Sequence, residues 1–184
     1  MHDTPSDDPP QRRISLPFDI FELSTRLGTY LGHALEGTGV RPAEYAVYSL
    51  MLEAGPRTPS ELAAMLGMPL STLSTYLGSM LGRGDAKRIP NPSDGRSVRV
   101  VLTDRGRGVV RTVNPPFTRA LVALEANLDA PVGDIRAVLR DVLDAIERAD
   151  AQLDVERQAA KADTTSSYYP APTRRPREPW VALE

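Results

Sequence analysis

The chain has 184 residues, of which 41% are hydrophobic, and a formal net charge of -2, which allows one ordinary core with tails outside it. It contains no cysteine, so disulfides, thiolate metal sites and thiol redox sensing by this chain are excluded. It has no apolar run of about 18 residues and no basic leader before an apolar stretch. We therefore expect no membrane contact, no signal peptide and a cytoplasmic location.

The charge is distributed unevenly along the sequence. Residues 57–112 hold nine basic and four acidic side chains, a net +5, whereas residues 1–56 carry -4 and residues 113–162 carry -3. A basic centre between acidic flanks is typical of a local contact with a polyanion. The alternative is a chance fluctuation in composition.

The first half of the chain predicts an arm followed by two helices. Residues 1–13 are polar and rich in proline, which predicts a disordered arm. Apolar residues at helical spacing then predict a first helix over about 16–36. Pro42 in the first turn begins a second helix that reaches Glu53 and should form a buried centre.

A capping box opens the third helix. In Thr58-Pro59-Ser60-Glu61, the Thr58 hydroxyl can accept from the Glu61 amide while the Glu61 carboxylate reaches back. We expect Leu62, Met65 and Leu66 to share one face and Gly67 to end the helix in a left-handed conformation.

The fourth helix, from about Pro69 to Gly82, has an apolar stripe and a hydroxyl face without carboxylates. The stripe comprises Leu70, Leu73, Leu77, Met80 and Leu81, and the hydroxyl face comprises Ser71, Thr72, Ser74, Thr75 and Ser79. An uncharged face that offers hydrogen bonds suits the major groove of DNA. The alternative is that these hydroxyls only cover a solvated face.

A hairpin follows this helix. The residues from Lys87 to Leu102 read as strand, tight turn and strand, with Arg96 at or near the tip. A protruding guanidinium suits the minor groove, and we expect Asp94 to fix the rotamer of Arg96. The alternative is a surface Asp-Arg pair that stabilises the turn.

These motifs together resemble the MarR family of bacterial transcriptional regulators over about Leu16 to Ala160. The stretch STLSTYLGSMLGRG is similar to the family's recognition helix, NPSDGRS to its wing, and VLTDRG to the start of its next helix. The resemblance implies a mainly α fold with a small β-wing, a winged helix-turn-helix with N- and C-terminal dimerisation helices. It also implies a homodimer that binds a palindromic operator in double-stranded DNA and that often releases it when a small ligand or an oxidant acts.

The resemblance also implies the residues that contact DNA. They are Thr58, Ser71, Thr72, Ser74, Thr75, Ser79, Lys87, Arg88, Asp94, Arg96 and Arg99. The chain departs from the family pattern where Thr75 and Ser79 stand in place of frequent arginines, where Asp85-Ala86 replaces the usual Leu-Val, and where Pro69 replaces a hydroxyl cap. Fewer cations should lower the affinity for phosphates and the salt dependence of binding.

Two long helical stretches follow the wing. Thr103 should cap the first, and Asn114-Pro115-Pro116 should force a kink or a restart capped by Asn114. The last helix begins after Pro131. It has a heptad-like seam at Val132, Ile135, Leu139, Val142, Ile146, Ala149 and Leu153. The seam could pack against helix one of the same chain or against a second copy, and the resemblance favours the homodimer.

These patterns divide the chain into an arm at 1–13, a MarR-like domain at 14–162 and a tail rich in Pro and Arg at 163–184. Within the domain, we expect the DNA-binding winged helix at about 41–112 and dimerisation helices at about 16–36 and 114–160. A pocket for a small-molecule effector should lie between the two parts. Its candidate lining residues are Tyr30, His33, Tyr45 and Tyr48. The favoured alternative for each of them is a core or surface position without ligand contact.

The sequence therefore predicts a homodimeric, sequence-specific transcriptional regulator, most often a ligand-responsive repressor in the family that it resembles. The alternative is a winged-helix module for protein-protein interaction with weak or no DNA binding. No arrangement of His, Ser, Asp or Glu predicts catalytic residues, a metal site or a cofactor.

Overall fold

The computed structural model describes residues 15–166, with side chains from residue 15 to residue 161. Six helices and two strands occur in this described part. In order they are α1 (Leu16–Ala34), α2 (Pro42–Ala54), α3 (Pro59–Leu66), α4 (Leu70–Gly82), β1 (Ala86–Pro90), β2 (Val98–Leu102), α5 (Asp104–Ala126) and α6 (Val132–Ser166). The predicted mainly α fold with a small antiparallel wing is confirmed. The arm at 1–13 and most of the tail at 163–184 lie outside the described residues.

Local signals begin and end the helices. Thr58 and Glu61 form the predicted capping box, and Gly67 ends α3 in the left-handed conformation at φ 60°. The Thr103 hydroxyl accepts from the Gly106 amide at 3.2 Å, as predicted for the start of α5. Ser15 caps α1 in the same way, with its hydroxyl accepting from the amide of residue 18.

The chain contains two compact units, one within residues 1–127 and one within residues 128–184. In the first unit, α2 lies at the centre of the core, as predicted. Its Val47 and Tyr48 are fully buried, and α3, α4, α5 and the wing all contribute buried side chains around it. The core therefore holds the helix-turn-helix and the base of the wing together.

Two residues that were expected on apolar faces are exposed. Met65 of α3 is 53% exposed and Leu70 of α4 is 47% exposed. Both lie at a helix end next to the short α3–α4 connection. Leu62 and Leu73 anchor the same two helices in the core.

Helix α5 runs without interruption through Pro115 and Pro116, so the predicted restart is wrong. Asn114 is not a helix cap; its side-chain oxygen accepts from the Tyr45 hydroxyl at 3.2 Å. Proline removes a donor but has a φ compatible with a helix. Packing on the core side, including the contact of Phe117 with the Tyr45 ring at 5.0 Å, outweighs the lost hydrogen bonds.

Helix α6 belongs to the second unit and spans 35 residues. The side chains of its predicted seam are only partly buried, since Leu139, Ile146 and Leu153 are about half exposed. Val138, Leu143 and Val155 add further exposed apolar surface. Large apolar side chains are also exposed on α1, at Leu16, Phe18, Phe21, Leu23 and Leu27.

Candidate nucleic-acid interface

The α3–α4 pair presents the hydroxyl face outward. Leu73, Leu77 and Met80 are buried and fix the orientation of α4. The opposite side of the helix carries the predicted contact residues Ser71, Thr72, Ser74, Thr75 and Ser79, all of which are exposed. The separation of faces predicted for this helix is confirmed, and contact with DNA stays a prediction.

Two of these hydroxyls already have partners. Thr75 donates to the Ser71 carbonyl at 3.1 Å, and the Ser79 oxygen accepts from the Arg83 guanidinium at 2.6 Å. Because a serine hydroxyl also carries a proton and a second lone pair, Ser79 keeps the capacity to bond to a base edge or a phosphate.

The wing is a two-stranded hairpin extended by a third segment. Strands β1 and β2 pair antiparallel, with Ala86 opposite Leu102. Arg57 joins β2 through two backbone hydrogen bonds with Val100, of which the shorter is 2.8 Å. The sequence did not predict this segment, because a single bridging residue has no strand pattern. Lys87 and Arg88, both predicted to contact DNA, are exposed on β1.

Residues 91–97 form the wing tip, which side-chain hydrogen bonds shape. The Asn91 amide donates to the Ser97 hydroxyl at 2.7 Å. Asp94 accepts from the backbone amide of Arg96 at 3.0 Å, so it orders the turn rather than the Arg96 rotamer, contrary to expectation. Arg96 is exposed, and within the described residues its guanidinium forms no ion pair.

Thr58 and Arg99 lie beside Glu61 at the start of α3. The Thr58 hydroxyl accepts from the Glu61 amide and donates to the Glu61 carboxylate at 2.9 Å. Its proton is therefore already used in the helix cap. The hydrogen bond from the Thr58 amide is the main cause that lowers the pKa of Glu61, and Arg57 and Arg99 lower it further. Arg99 is half-buried, and its Nε has no hydrogen-bond partner in the described structure.

A polar cluster is centred on the buried Asp85, and we call it the Asp85 cluster: Glu44, Tyr48, Arg83, Asp85 and Arg105. Glu44 and Tyr48 are also buried, whereas Arg83 and Arg105 are exposed. Asp85 is only 1% exposed and accepts from the Tyr48 hydroxyl at 2.7 Å, from Arg83 Nε at 2.9 Å and from Arg105 Nε at 2.9 Å. Arg83 also pairs with Glu44 and donates to the Tyr48 hydroxyl at 3.0 Å. Sequence reasoning noted Asp85 only as a departure from an apolar pattern and missed its role.

The cluster perturbs the protonation of its members. Burial raises the pKa of Tyr48 to about 12. Burial alone would also raise the pKa of Asp85, but hydrogen bonds from Arg83, Tyr48 and Arg105 outweigh it and hold that pKa below its ordinary value. The hydrogen bond to Tyr48, with those to Asp85 and Glu44, raises the pKa of Arg83. Asp85 and Arg83 are therefore both charged at neutral pH.

A half-open cavity of about 280 Å³ adjoins the cluster. Its lining includes Thr38, Tyr48, Arg83, Asp85, Arg105 and Val109. Tyr48 is the one member of the predicted ligand set that lines it.

The other three predicted ligand residues do not meet at this cavity. The Tyr30 hydroxyl donates to the Ala120 carbonyl at 2.8 Å, Tyr45 bonds to Asn114, and His33 is exposed. Ligand contact by these four residues stays a prediction.

Two features are absent from the described residues. They contain no group of three or more His, Cys, Asp or Glu side chains that could hold a metal ion. Within the same range, no helix is long and apolar enough to cross a membrane.

Comparison with known proteins gives curated relatives and solved structures, and no family model matches the chain. The chain is 30% identical over 90 residues to the multiple antibiotic resistance protein MarR of Salmonella typhimurium, a stretch that covers 49% of this chain and 62% of the relative. It is 32% identical over 79 residues to MarR of Escherichia coli K12, covering 43% and 55%. The chain thus spans less than two thirds of the length of these relatives.

Solved structures match over a longer stretch. A mutant of E. coli MarR complexed with operator DNA is 27% identical, with a TM-score of 0.64, and the match covers 71% of this chain and 94% of that one. The Mycobacterium tuberculosis regulator MOSR, solved with DNA, has a TM-score of 0.66 at 21% identity, covers 73% and 98%, and supports the fold alone.

The helix-turn-helix, the β-hairpin beside it and the exposed hydroxyl face together define a winged-helix protein. The chain is similar to MarR in both sequence and structure, and this similarity supports a winged-helix regulator of the MarR type.

Proposed function

We propose that this chain is a homodimeric, sequence-specific DNA-binding regulator of transcription that responds to a small ligand and acts in the cytoplasm as a repressor at a palindromic operator. One observation carries the proposal: the exposed hydroxyl face of α4 and the exposed Arg96 at the wing tip belong to one basic segment of an otherwise acidic chain.

The two parts of this surface have complementary uses on a duplex. Serine and threonine hydroxyls can both donate and accept, so the face of α4 can bond to base edges in the major groove. The Arg96 guanidinium is exposed and free to enter the neighbouring minor groove, whose negative potential attracts it. The turn that presents it is held by Asp94 and Asn91, which reduces the entropy lost on binding.

Exposed apolar side chains support the homodimer. Phe21 of α1 is 66% exposed, and Val138 and Leu143 of α6 are 64% and 59% exposed. Such surface is unfavourable in water and marks an interaction site. Two copies would place two α4 helices on one palindrome, so that the second contact benefits from a high effective concentration.

The cavity beside Tyr48 supports a response to a small molecule. It adjoins Arg83, which follows α4 directly and bonds to Ser79. A compound that binds there more tightly in one arrangement of α4 than in another would shift DNA affinity by that difference.

The Arg96→Ala variant tests the proposed DNA contact. Fluorescence anisotropy would follow binding to a labelled duplex that the wild-type protein selects from a random-sequence pool, at several salt concentrations. We expect Arg96→Ala to weaken binding about tenfold and to reduce the salt dependence. The matched control is Arg26→Ala, which removes an exposed arginine of α1.

Two results would contradict the proposal. An Arg96→Ala affinity equal to wild type would remove the wing contact. Selection of no preferred duplex at any salt concentration would favour the second candidate, a module for protein contact. The observation behind that second candidate is that the exposed face of α4 carries no cationic side chain.

A further inference from the structure

The backbone of Asp85 connects α4 to both strands of the wing. Its amide donates to the Met80 carbonyl at 2.8 Å, inside the last turn of α4. The next residue begins β1. The Asp85 carbonyl accepts from the Thr103 amide at 2.9 Å, and Thr103 follows directly after β2. Both ends of the hairpin therefore meet the end of α4 at one residue.

The side chain of Asp85 fixes this connection to the rest of the unit. Its carboxylate accepts from Tyr48 of α2, from Arg83 after α4 and from Arg105 in the first turn of α5. Because a buried charge is stable only with its partners in place, the carboxylate has one favourable position. A rotation of the wing base would strain these three hydrogen bonds, that from the buried Tyr48 hydroxyl above all.

Arg83 extends the connection to the proposed DNA surface. One terminal nitrogen pairs with Glu44 and the Tyr48 hydroxyl, its Nε bonds to Asp85, and the other terminal nitrogen donates to Ser79 at 2.6 Å. Ser79 lies on the exposed hydroxyl face of α4. A single guanidinium thus bonds both to the residue at the wing base and to a candidate DNA contact.

We infer that Asp85 is a positioning residue for DNA binding, which acts through its cluster to fix the wing tip relative to α4. The inference rests on the function proposed above. It assigns no contact with DNA to Asp85 itself, which is buried.

The length of the wing makes this positioning effective. A five-residue strand spans about 17 Å, so a rotation of about 10° at its base moves the tip by about 3 Å. A hydrogen bond needs its donor and acceptor within about 3.2 Å of each other. A small loss of order at Asp85 would therefore separate Arg96 from a groove that α4 still occupies.

A double-mutant cycle between the cluster and the wing tip tests the inference. Tyr48→Phe removes one hydroxyl from the Asp85 cluster and leaves the ring in the core. The matched control is Tyr45→Phe, because Tyr45 is also buried in α2 but donates to Asn114, outside the cluster. The effect of Arg96→Ala on affinity for the selected duplex would be measured in the wild-type, Tyr48→Phe and Tyr45→Phe backgrounds.

The expected result is that the effect of Arg96→Ala on DNA affinity becomes smaller in the Tyr48→Phe background only. Arg96→Ala should weaken binding about tenfold in wild type, less than about threefold in Tyr48→Phe, and by the wild-type factor to within about twofold in Tyr45→Phe. A merely structural role for the cluster would lower the folded fraction and scale all affinities together, so that the Arg96→Ala factor stayed constant. Equal factors in all three backgrounds would overturn the inference.

An Asp85→Asn background gives a second and stronger perturbation. It should reduce the Arg96→Ala factor at least as much as Tyr48→Phe does. If this variant does not fold, as a thermal melt would show, the Tyr48→Phe cycle decides alone. If Arg96→Ala has no effect in wild type, the proposed wing contact fails and the inference fails with it, whereas a tenfold effect that is unchanged by Tyr48→Phe refutes only the positioning role.

Discussion

The packing of α5 against the wing base makes a sharp prediction at Gly106. A Cβ at this position would lie 2.1 Å from the Asp85 carbonyl oxygen, whereas real Cβ contacts are almost never shorter than 3.0 Å. The carbonyl cannot move away freely, because it accepts from the Thr103 amide at 2.9 Å and from its hydroxyl at 3.1 Å. Gly106→Ala should therefore force α5 away from the wing base.

The expected magnitude follows from these contacts. Overpacking costs about 1–3 kcal/mol, and each weakened hydrogen bond costs about 1 kcal/mol, while alanine in a helix returns at most about 1 kcal/mol. We expect Gly106→Ala to lower the free energy of unfolding by about 2–4 kcal/mol. In the control Gly108→Ala, the nearest atom is a terminal nitrogen of Arg111 at 3.6 Å, so stability should rise by up to about 1 kcal/mol.

Urea unfolding followed by far-ultraviolet circular dichroism would measure both variants. The protein concentration must be the same for each, because dimerisation would make stability depend on it. If Gly106→Ala is as stable as Gly108→Ala, the first turn of α5 does not lie against the Asp85 carbonyl and the description of the wing base is wrong.

Three further predictions concern helix capping, proton linkage and the Asp85 cluster. Thr58→Ala removes the capping box and should lower the free energy of unfolding by about 1 kcal/mol in urea unfolding at neutral pH. The lowered pKa of Glu61 means that the stability contributed by its carboxylate is fully present above pH 4.5 and is lost as the pH falls through the folded-state value. Thr58→Ala removes the hydroxyl that donates to this carboxylate, so the difference in stability between Thr58→Ala and wild type should narrow in acid-unfolding titrations, and a difference that does not change with pH would exclude that hydrogen bond. The pKa of Tyr48, raised to about 12 from 10, means that its contribution is fully present below pH 10 and is lost as the pH rises through 12. Wild type should lose roughly 2–3 kcal/mol more than Tyr48→Phe over this interval, and parallel curves would contradict burial of that hydroxyl. Asp85→Ala should lower stability by about 1–3 kcal/mol, because it removes three hydrogen bonds to a buried carboxylate and leaves the buried Tyr48 hydroxyl without its acceptor, and a thermal melt unchanged from wild type would refute those contacts.

The sequence predicted features whose causes lie close together along the chain. The Thr58 capping box, the left-handed Gly67 and the Thr103 cap all depend on neighbours within three residues, and all three occur as expected. The division of α4 into a buried and an exposed face follows from helical periodicity alone.

The predictions that failed have two different causes. Pro115 and Pro116 have the local signature of a helix break, but α5 continues because residues on either side pack against the distant α2. The Asp94 prediction failed within the turn itself, because the backbone amide of Arg96, and not its guanidinium, donates to the Asp94 carboxylate.

The Asp85 cluster shows the same limit more strongly. Its donors at positions 48, 83 and 105 are separated by 35 and 22 residues, and no periodicity relates them. The available signal was a carboxylate at position 85, where the family pattern has an apolar residue. That signal indicates a buried partner without identifying it, because only the fold brings α2 and α5 to the same place.

The most direct test of the central claim is the stoichiometry and specificity of the complex with DNA. Sedimentation velocity would be measured with the full chain and the selected duplex, and with a scrambled duplex of the same length and base composition. We predict a complex of two chains on one palindromic duplex, which salt weakens and which the scrambled duplex does not form at the same concentration. A protein that sediments as a monomer and binds neither duplex, or that binds both equally, would contradict it.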